Sequence, residues 1–231
     1  MNGGGNGMRF IFWGDGSRES MALVDAVRVR STENFNWTFI FILAVVFYVY
    51  WTEIHKKDLE AVYAGLALYG VHWLYEIANA VIGKLTGYPL WTVSNASTTF
   101  ILLIGVCWEL SMMFSLAGII SFKMMPHDRT KRYLKGKLFK NGISCRLAGA
   151  LEMALLFALF ESFLAGTGNH SFIWVYRWWG VVPVFITTYV PFFLASNYVP
   201  DMAPKKRKAF LITVWGLVFV LLAVLIPSGV I

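Results

Sequence analysis

The stretch Tyr69-Gly-Val-His72-Trp-Leu-Tyr-Glu76-Ile-Ala-Asn79 decides how this chain is read. It sits inside an apolar run, residues 61–82, long enough to cross a bilayer. On a helix, His72 and Glu76 stack on one face four residues apart, and Asn79 continues that face. A histidine and a carboxylate at membrane depth are expensive, so the pattern predicts a polar site turned toward the protein interior.

Outward from that stretch, the composition says membrane. The chain of 231 residues is 58% hydrophobic, 17% aromatic and 14% charged. Soluble domains carry about 25% charged residues. The predicted fold is an all-α polytopic bundle of about six spans, one transmembrane domain over residues 37–231. A span needs roughly 20 apolar residues. The six fall near residues 37–51, 61–82, 97–122, 147–165, 172–198 and 210–226, with a tight Gly-Thr-Gly-Asn turn between the fourth and fifth. Residues 1–36 precede them as a flexible, glycine-rich segment. Within it, residues 19–30 are read as a short amphipathic helix on the membrane surface, with Met21, Val24 and Val27 on one side. No cleavable signal peptide is expected.

The net charge of +7 does not point to nucleic acid, because the basic residues cluster in loops. Lys123, Arg129, Lys131, Arg132, Lys135, Lys137, Lys140 and Arg146 follow span 3, Lys205 to Lys208 follow span 5, and Lys56 and Lys57 follow span 1. All lie on one side, which the positive-inside rule makes cytoplasmic, with both termini outside, in an inner or plasma membrane or the endoplasmic reticulum. Cys107 and Cys145 fall at different depths and do not form a disulfide framework. Three glycosylation sequons, at Asn36, Asn95 and Asn169, hug the predicted outer surface.

Four glutamates fall inside predicted spans: Glu76, Glu109, Glu152 and Glu161. Each ionised carboxylate at the bilayer centre costs about 2.5 kcal/mol or more. They must be protonated, paired or turned toward a wet cavity. At 1.5 Å per residue, Glu76, Glu161 and Arg177 each lie about 8–9 Å from the outer edge, so spans 2, 4 and 5 can bring them together. Glu161 with Arg177 is read as an ion pair. His72 and Glu109 lie near mid-membrane, and Glu152 faces away from Glu161. Pro183 and Pro191 should free the carbonyls of Trp179 and Thr187, so span 5 is read as a kinked helix that walls a cavity with Trp174, Trp178, Trp179, Thr187 and Thr188, against the alternative of an interfacial tryptophan belt. A metal bound by His72, Glu76 and Glu109 lacks a second intramembrane histidine, and no metal or cofactor is expected.

The order HxxxE in one span (His72, Glu76), a glutamate in the next (Glu109), then an acidic and an aromatic-rich span, resembles the emopamil-binding family, which includes sterol isomerases. The likeness covers residues 60–198 by motif order. It implies that the histidine and carboxylates move protons on a buried sterol while an aromatic wall stabilises a carbocation. That family has five spans, so the sixth here departs from it, and its later asparagine and tryptophan positions have no counterpart. Small membrane terpene cyclases offer a similar comparison.

The expected function is therefore an integral-membrane isomerase or cyclase acting on a sterol- or isoprenoid-like lipid. His72, Glu76 and Glu109 are the candidate catalytic residues, with Glu76 or Glu109 as acid and His72 orienting or reprotonating it. Asn79, Trp73, Trp108, Glu161, Arg177 and Trp178 are the candidate substrate-binding residues, the tryptophans offering π-faces to a cation. The partner is a membrane lipid or hydrophobic small molecule. Two rivals stand beside it. One is a proton-coupled transporter, which would work as a homodimer. The other is a non-catalytic assembly or lipid-binding subunit.

Overall fold

The computed structural model describes residues 10–33, 35, 37, 39–95, 98, 100–136, 140–166 and 171–231. The three sequons and the turn after Gly166 include residues outside this set.

Among the described residues, three helices are long and apolar enough to cross a membrane: α5 (Cys145–Gly166), α6 (Val181–Tyr198) and α7 (Pro204–Leu225). Helix α2 (Phe39–His55) is apolar but has 17 residues, about 26 Å of helix against a hydrocarbon core of about 30 Å. Helix α3 (Leu59–Thr86) is longer, at 28 residues, but carries Glu60, His72, Glu76, Asn79 and Lys84. Helix α4 (Trp108–Met124) and the short α1 (Arg18–Asp25) complete the set of helices described.

Helix α3 is central. It packs against α4, α6 and α7, while α5 packs against α6 and α2 lies on α4. The α3–α4 contact is close because both sides carry glycine. A Cβ at Gly118 would sit 2.6 Å from the Ala64 carbonyl oxygen and 2.9 Å from the Gly65 Cα. Backbone cannot yield cheaply there. Gly118→Ala is expected to destabilise the bundle by about 1–3 kcal/mol, read as a lower melting temperature in detergent.

Polar groups fasten one end of the bundle. Lys123 Nζ lies 2.5 Å from Glu53 Oε2 and 2.9 Å from Asp58 Oδ2. Asp58 also caps α3, accepting from the Ala61 N–H at 3.2 Å. Partial burial would lift the Asp58 carboxyl, but the Lys123 ammonium and the Ala61 N–H outweigh it and hold Asp58 below its usual range. A lowered folded value means the contribution is present at neutral pH and lost as pH falls through that value. Asp58→Ala should cost about 1 kcal/mol at neutral pH, and the gap to wild type should narrow as melting is followed to pH values below the usual carboxylate range. Nearby, the buried Asn197 on α6 accepts from Ser121 of α4 at 3.0 Å and donates to the Arg146 carbonyl of α5 at 3.2 Å.

The other end departs from the predicted spans. Residues 101–107, placed in span 3, form the hairpin β2 (Ile101–Leu103) and β3 (Val106–Cys107), so α4 starts only at Trp108. The run 172–180, placed in span 5, holds a strand and a turn, and α6 starts at Val181. Strand β6 (Phe172–Trp174) pairs antiparallel with β1 (Trp91–Val93), setting Trp91 opposite Trp174. Another small ladder, β4 (Arg132–Tyr133) with β5 (Ile143–Ser144), closes the basic loop.

The N-terminal segment is not a loose surface helix. Gly14 N–H donates to the Trp179 carbonyl at 2.8 Å, and Val181 N–H donates to the Phe12 carbonyl at 3.0 Å. Helix α1 is capped by Ser17, and its Val24 packs on Ile173 and Val175. The apolar side read as lipid-facing therefore covers the β1–β6 ladder.

Candidate functional site

Glu76 of α3 and Glu161 of α5 line one cavity of about 30 Å³. Both are buried, at 5% and 6% exposure. The β1–β6 ladder explains why they meet. Residues directly opposite in an antiparallel pair share a face, so Trp91 and Trp174 point the same way. Trp91 Nε1 donates to both oxygens of Glu76, at 3.3 Å each. Trp174 Nε1 donates to Glu161 Oε1 at 2.5 Å. Each carboxylate thus takes an indole N–H from one strand of the same ladder. Tyr189 completes the Glu161 shell by bonding to Oε2 through its hydroxyl.

Aromatic rings make the wall. Phe114, Phe157, Phe160, Phe172 and Phe192 line the cavity with Trp91 and Tyr189. Trp91 stacks on Trp179 with centroids 5.6 Å apart. Phe160 is 49% exposed, so the cavity reaches the outer face of α5 at that ring.

His72 stands behind Glu76. Its Nε2 lies 3.5 Å from Glu76 Oε1, longer than a normal N–H···O bond, and its ring stacks on Phe114 at 4.2 Å. Neither ring nitrogen has a hydrogen-bond partner among the described residues, although the ring is 1% exposed.

Helix α6 contributes a broken turn. Residues Phe185–Tyr189 form a π-helical segment just before Pro191. Proline cannot donate to Thr187, and its ring crowds that carbonyl, so the helix widens. Such bulges recur at functional sites. This one turns both Thr188 and Tyr189 into the cavity. Pro183 frees no carbonyl, because it lies in the first turn of α6, and the Trp179 oxygen is bonded by Gly14 instead.

The remaining predicted site residues fall elsewhere. Glu109 sits in the first turn of α4, where a negative charge suits the helix N-terminus, and it does not line the cavity. Its neighbours Leu110 and Met113 line the cavity in its place. Trp108 stacks on Phe39 of α2, at 5.7 Å. Trp73 is half-buried and packs toward Val218 and Trp215 of α7. The pairing of Glu161 with Arg177 does not form: Arg177 is exposed on the turn before α6 and donates to the Asp15 carbonyl at 2.8 Å. Trp178, on the same turn, is 59% exposed.

Asn79 has a structural duty. Its Oδ1 accepts from the Leu90 N–H at 2.8 Å and its Nδ2 donates to the Trp91 carbonyl at 2.9 Å. It therefore docks β1 on α3. Gly105 closes the same corner, since a Cβ there would come 2.5 Å from Glu76 Oε2 and 2.6 Å from Asn79 Nδ2. Trp91 and Tyr189 are the residues that sequence reasoning did not place at the site. Trp174 and Thr188 were expected only as part of a cavity wall on span 5, without their link to Glu161 or to the pocket it lines.

The chain is similar to an uncharacterized protein of Archaeoglobus fulgidus, 35% identical over 184 residues, which covers 78% of this chain and 83% of the relative. No solved structure matches it. Neither the relative nor the family match links the chain to the emopamil-binding proteins. Residues 20–227 match the model of an uncharacterized membrane protein family, and the chain belongs to that family.

Proposed function

We propose that this protein is a membrane-embedded isomerase or cyclase that moves protons on an unsaturated, isoprenoid- or sterol-like lipid. The observation that carries the reading is the pair Glu76 and Glu161 on one aromatic-walled cavity. Glu161 serves as acid. Its Tyr189 neighbour can donate or accept, so it can accompany the carboxyl in either protonation state. Glu161 gives its proton to an alkene carbon, and the resulting carbocation lies against the π-faces of Phe114, Phe157 and Trp91. Glu76 takes a proton from the adjacent carbon, with His72 beside it as the onward acceptor. One proton is gained and one lost, so the double bond shifts without redox change. A cavity of about 30 Å³ does not admit a lipid chain. Access therefore requires Phe160, at the outer face of α5, to swing aside.

The test is purified protein in nanodiscs, given a panel of unsaturated isoprenoids and sterols in D2O. A shifted double bond carrying one deuterium supports the reading. No exchange into any member of the panel counts against it.

The membrane topology belongs to the same proposal. Six crossings, with α2, α3 and α4 joining the three apolar helices, place the basic loops in the cytoplasm. A second reading is a proton-coupled transporter, favoured by the broken α6, since interrupted helices line transporter sites. Proteoliposome flux driven by a pH gradient, without chemical change in the solute, would favour it over the enzyme.

A further inference from the structure

Thr188 has a hydroxyl that the proposed reaction does not use. It is 6% exposed, it lines the cavity, and Oγ1 has no hydrogen-bond partner among the described residues. A buried hydroxyl left without a partner costs about 1–3 kcal/mol, so such groups are normally satisfied by protein or by water. Its neighbour Thr187 shows the ordinary solution, donating back to the Pro183 carbonyl at 2.7 Å. Thr188, turned inward by the π-helical segment, has no such outlet.

Glu76 also has spare capacity. A carboxylate offers about four lone-pair sites, and the Trp91 and His72 contacts to Glu76 are long, at 3.3 and 3.5 Å. A buried water needs roughly 10–15 Å³ of such space and two to four polar partners. The cavity of about 30 Å³ has room for one or two, and Glu76, Glu161 and Thr188 all face it.

We infer that this cavity is a water site, in which water bonded to Thr188 bridges Glu76 and Glu161 and carries a proton between them. The inference rests on the reading of the pocket as a proton-transfer site and specifies how its two acids communicate. Thr188 donates to the water, and the water donates to the two carboxylates. If Glu161 is protonated, its proton passes to the water as the water passes one to Glu76, so the net charge of the chain is unchanged. The titratable groups that face this path are His72 and Glu76 from α3, Glu161 from α5 and Tyr189 from α6. Among the described residues α4 adds only apolar side chains to the lining. Thr188 is a positioning residue here.

The experiment is infrared difference spectroscopy on the full chain in nanodiscs, triggered by a pH step, in ordinary water and in water labelled with oxygen-18. The expected result is an isotope-sensitive O–H stretch of internal water that is lost in Thr188→Val and retained in Thr188→Ser, with the carboxyl stretch of Glu76 or Glu161 shifted in the valine variant. Should Thr188→Val fail to fold, Thr188→Ala serves for the same comparison. A wild-type spectrum without such a band, or a band unchanged when the hydroxyl is removed, overturns the inference. No lipid is present, so failure to find a substrate leaves this test intact, and failure here leaves the enzymatic reading to its own test.

Discussion

Glu161→Gln is expected to abolish deuterium transfer to lipid, lowering the rate by about 10²–10⁴-fold, the usual worth of a positioned general acid or base. Glutamine keeps the shape and can still accept from Trp174, whose indole N–H points at Oε1 at 2.5 Å. What it lacks is the proton. Glu76→Gln should fall by a similar factor, and the double variant by scarcely more than either single one, because residues acting as a unit are not additive. Both variants should melt near wild type, since each glutamine retains its indole partner. Glu109→Gln is the control. It lies off the cavity, in the first turn of α4, and its turnover should match wild type. Loss of folding in every Glu→Gln variant, with full activity wherever the protein folds, would point to packing roles.

The largest stability effect is expected at Asn79→Leu. The side chain is 1% exposed and holds the Leu90 N–H, the Trp91 N–H at 3.4 Å, and the Trp91 carbonyl. Leucine leaves these backbone groups buried without partners, at about 1–3 kcal/mol each, for a total of about 3 kcal/mol or more. For a chain of this size that corresponds to a fall of roughly 10 °C in melting temperature. The loss should reach the chemistry too, because β1 carries Trp91 and Trp91 holds Glu76. Asn79→Asp, which keeps the acceptor for Leu90 but loses the donor to Trp91, should fall between. A leucine variant that melts with wild type would mean that β1 is held to α3 by other contacts.

Much of the scaffold was legible in the residues alone. The cores of α2, α3, α5 and α7 follow from long apolar runs, and the α3 face bearing His72, Glu76 and Asn79 follows from their spacing. The failures share one cause. The runs Ile101-Leu-Leu-Ile104 and Phe172-Ile-Trp174 are apolar throughout, and periodicity cannot separate a buried strand from a buried helix. Reading them as helix put Glu109 at mid-membrane and Arg177 beside Glu161. As strand and turn, they carry Arg177 out to the surface and bring Trp174 in. The partners of the two acids were hidden for the same reason. Trp91 and Trp174 are 83 residues apart in sequence and meet only through the β1–β6 ladder. Tyr189 was beyond reach because a π-helical turn changes which residues share a face.

The shared pocket is the claim on which the chemistry rests, and infrared spectroscopy of Glu76 at one fixed pH tests it most directly. The carboxyl or carboxylate band that disappears in Glu76→Gln is compared in the full chain and in the Glu161→Gln variant. Both carboxyl groups line one cavity, so the account predicts that the Glu76 band shifts in frequency when Glu161 becomes an amide. The same band position in both proteins would show that the two groups do not sense each other, and would contradict it.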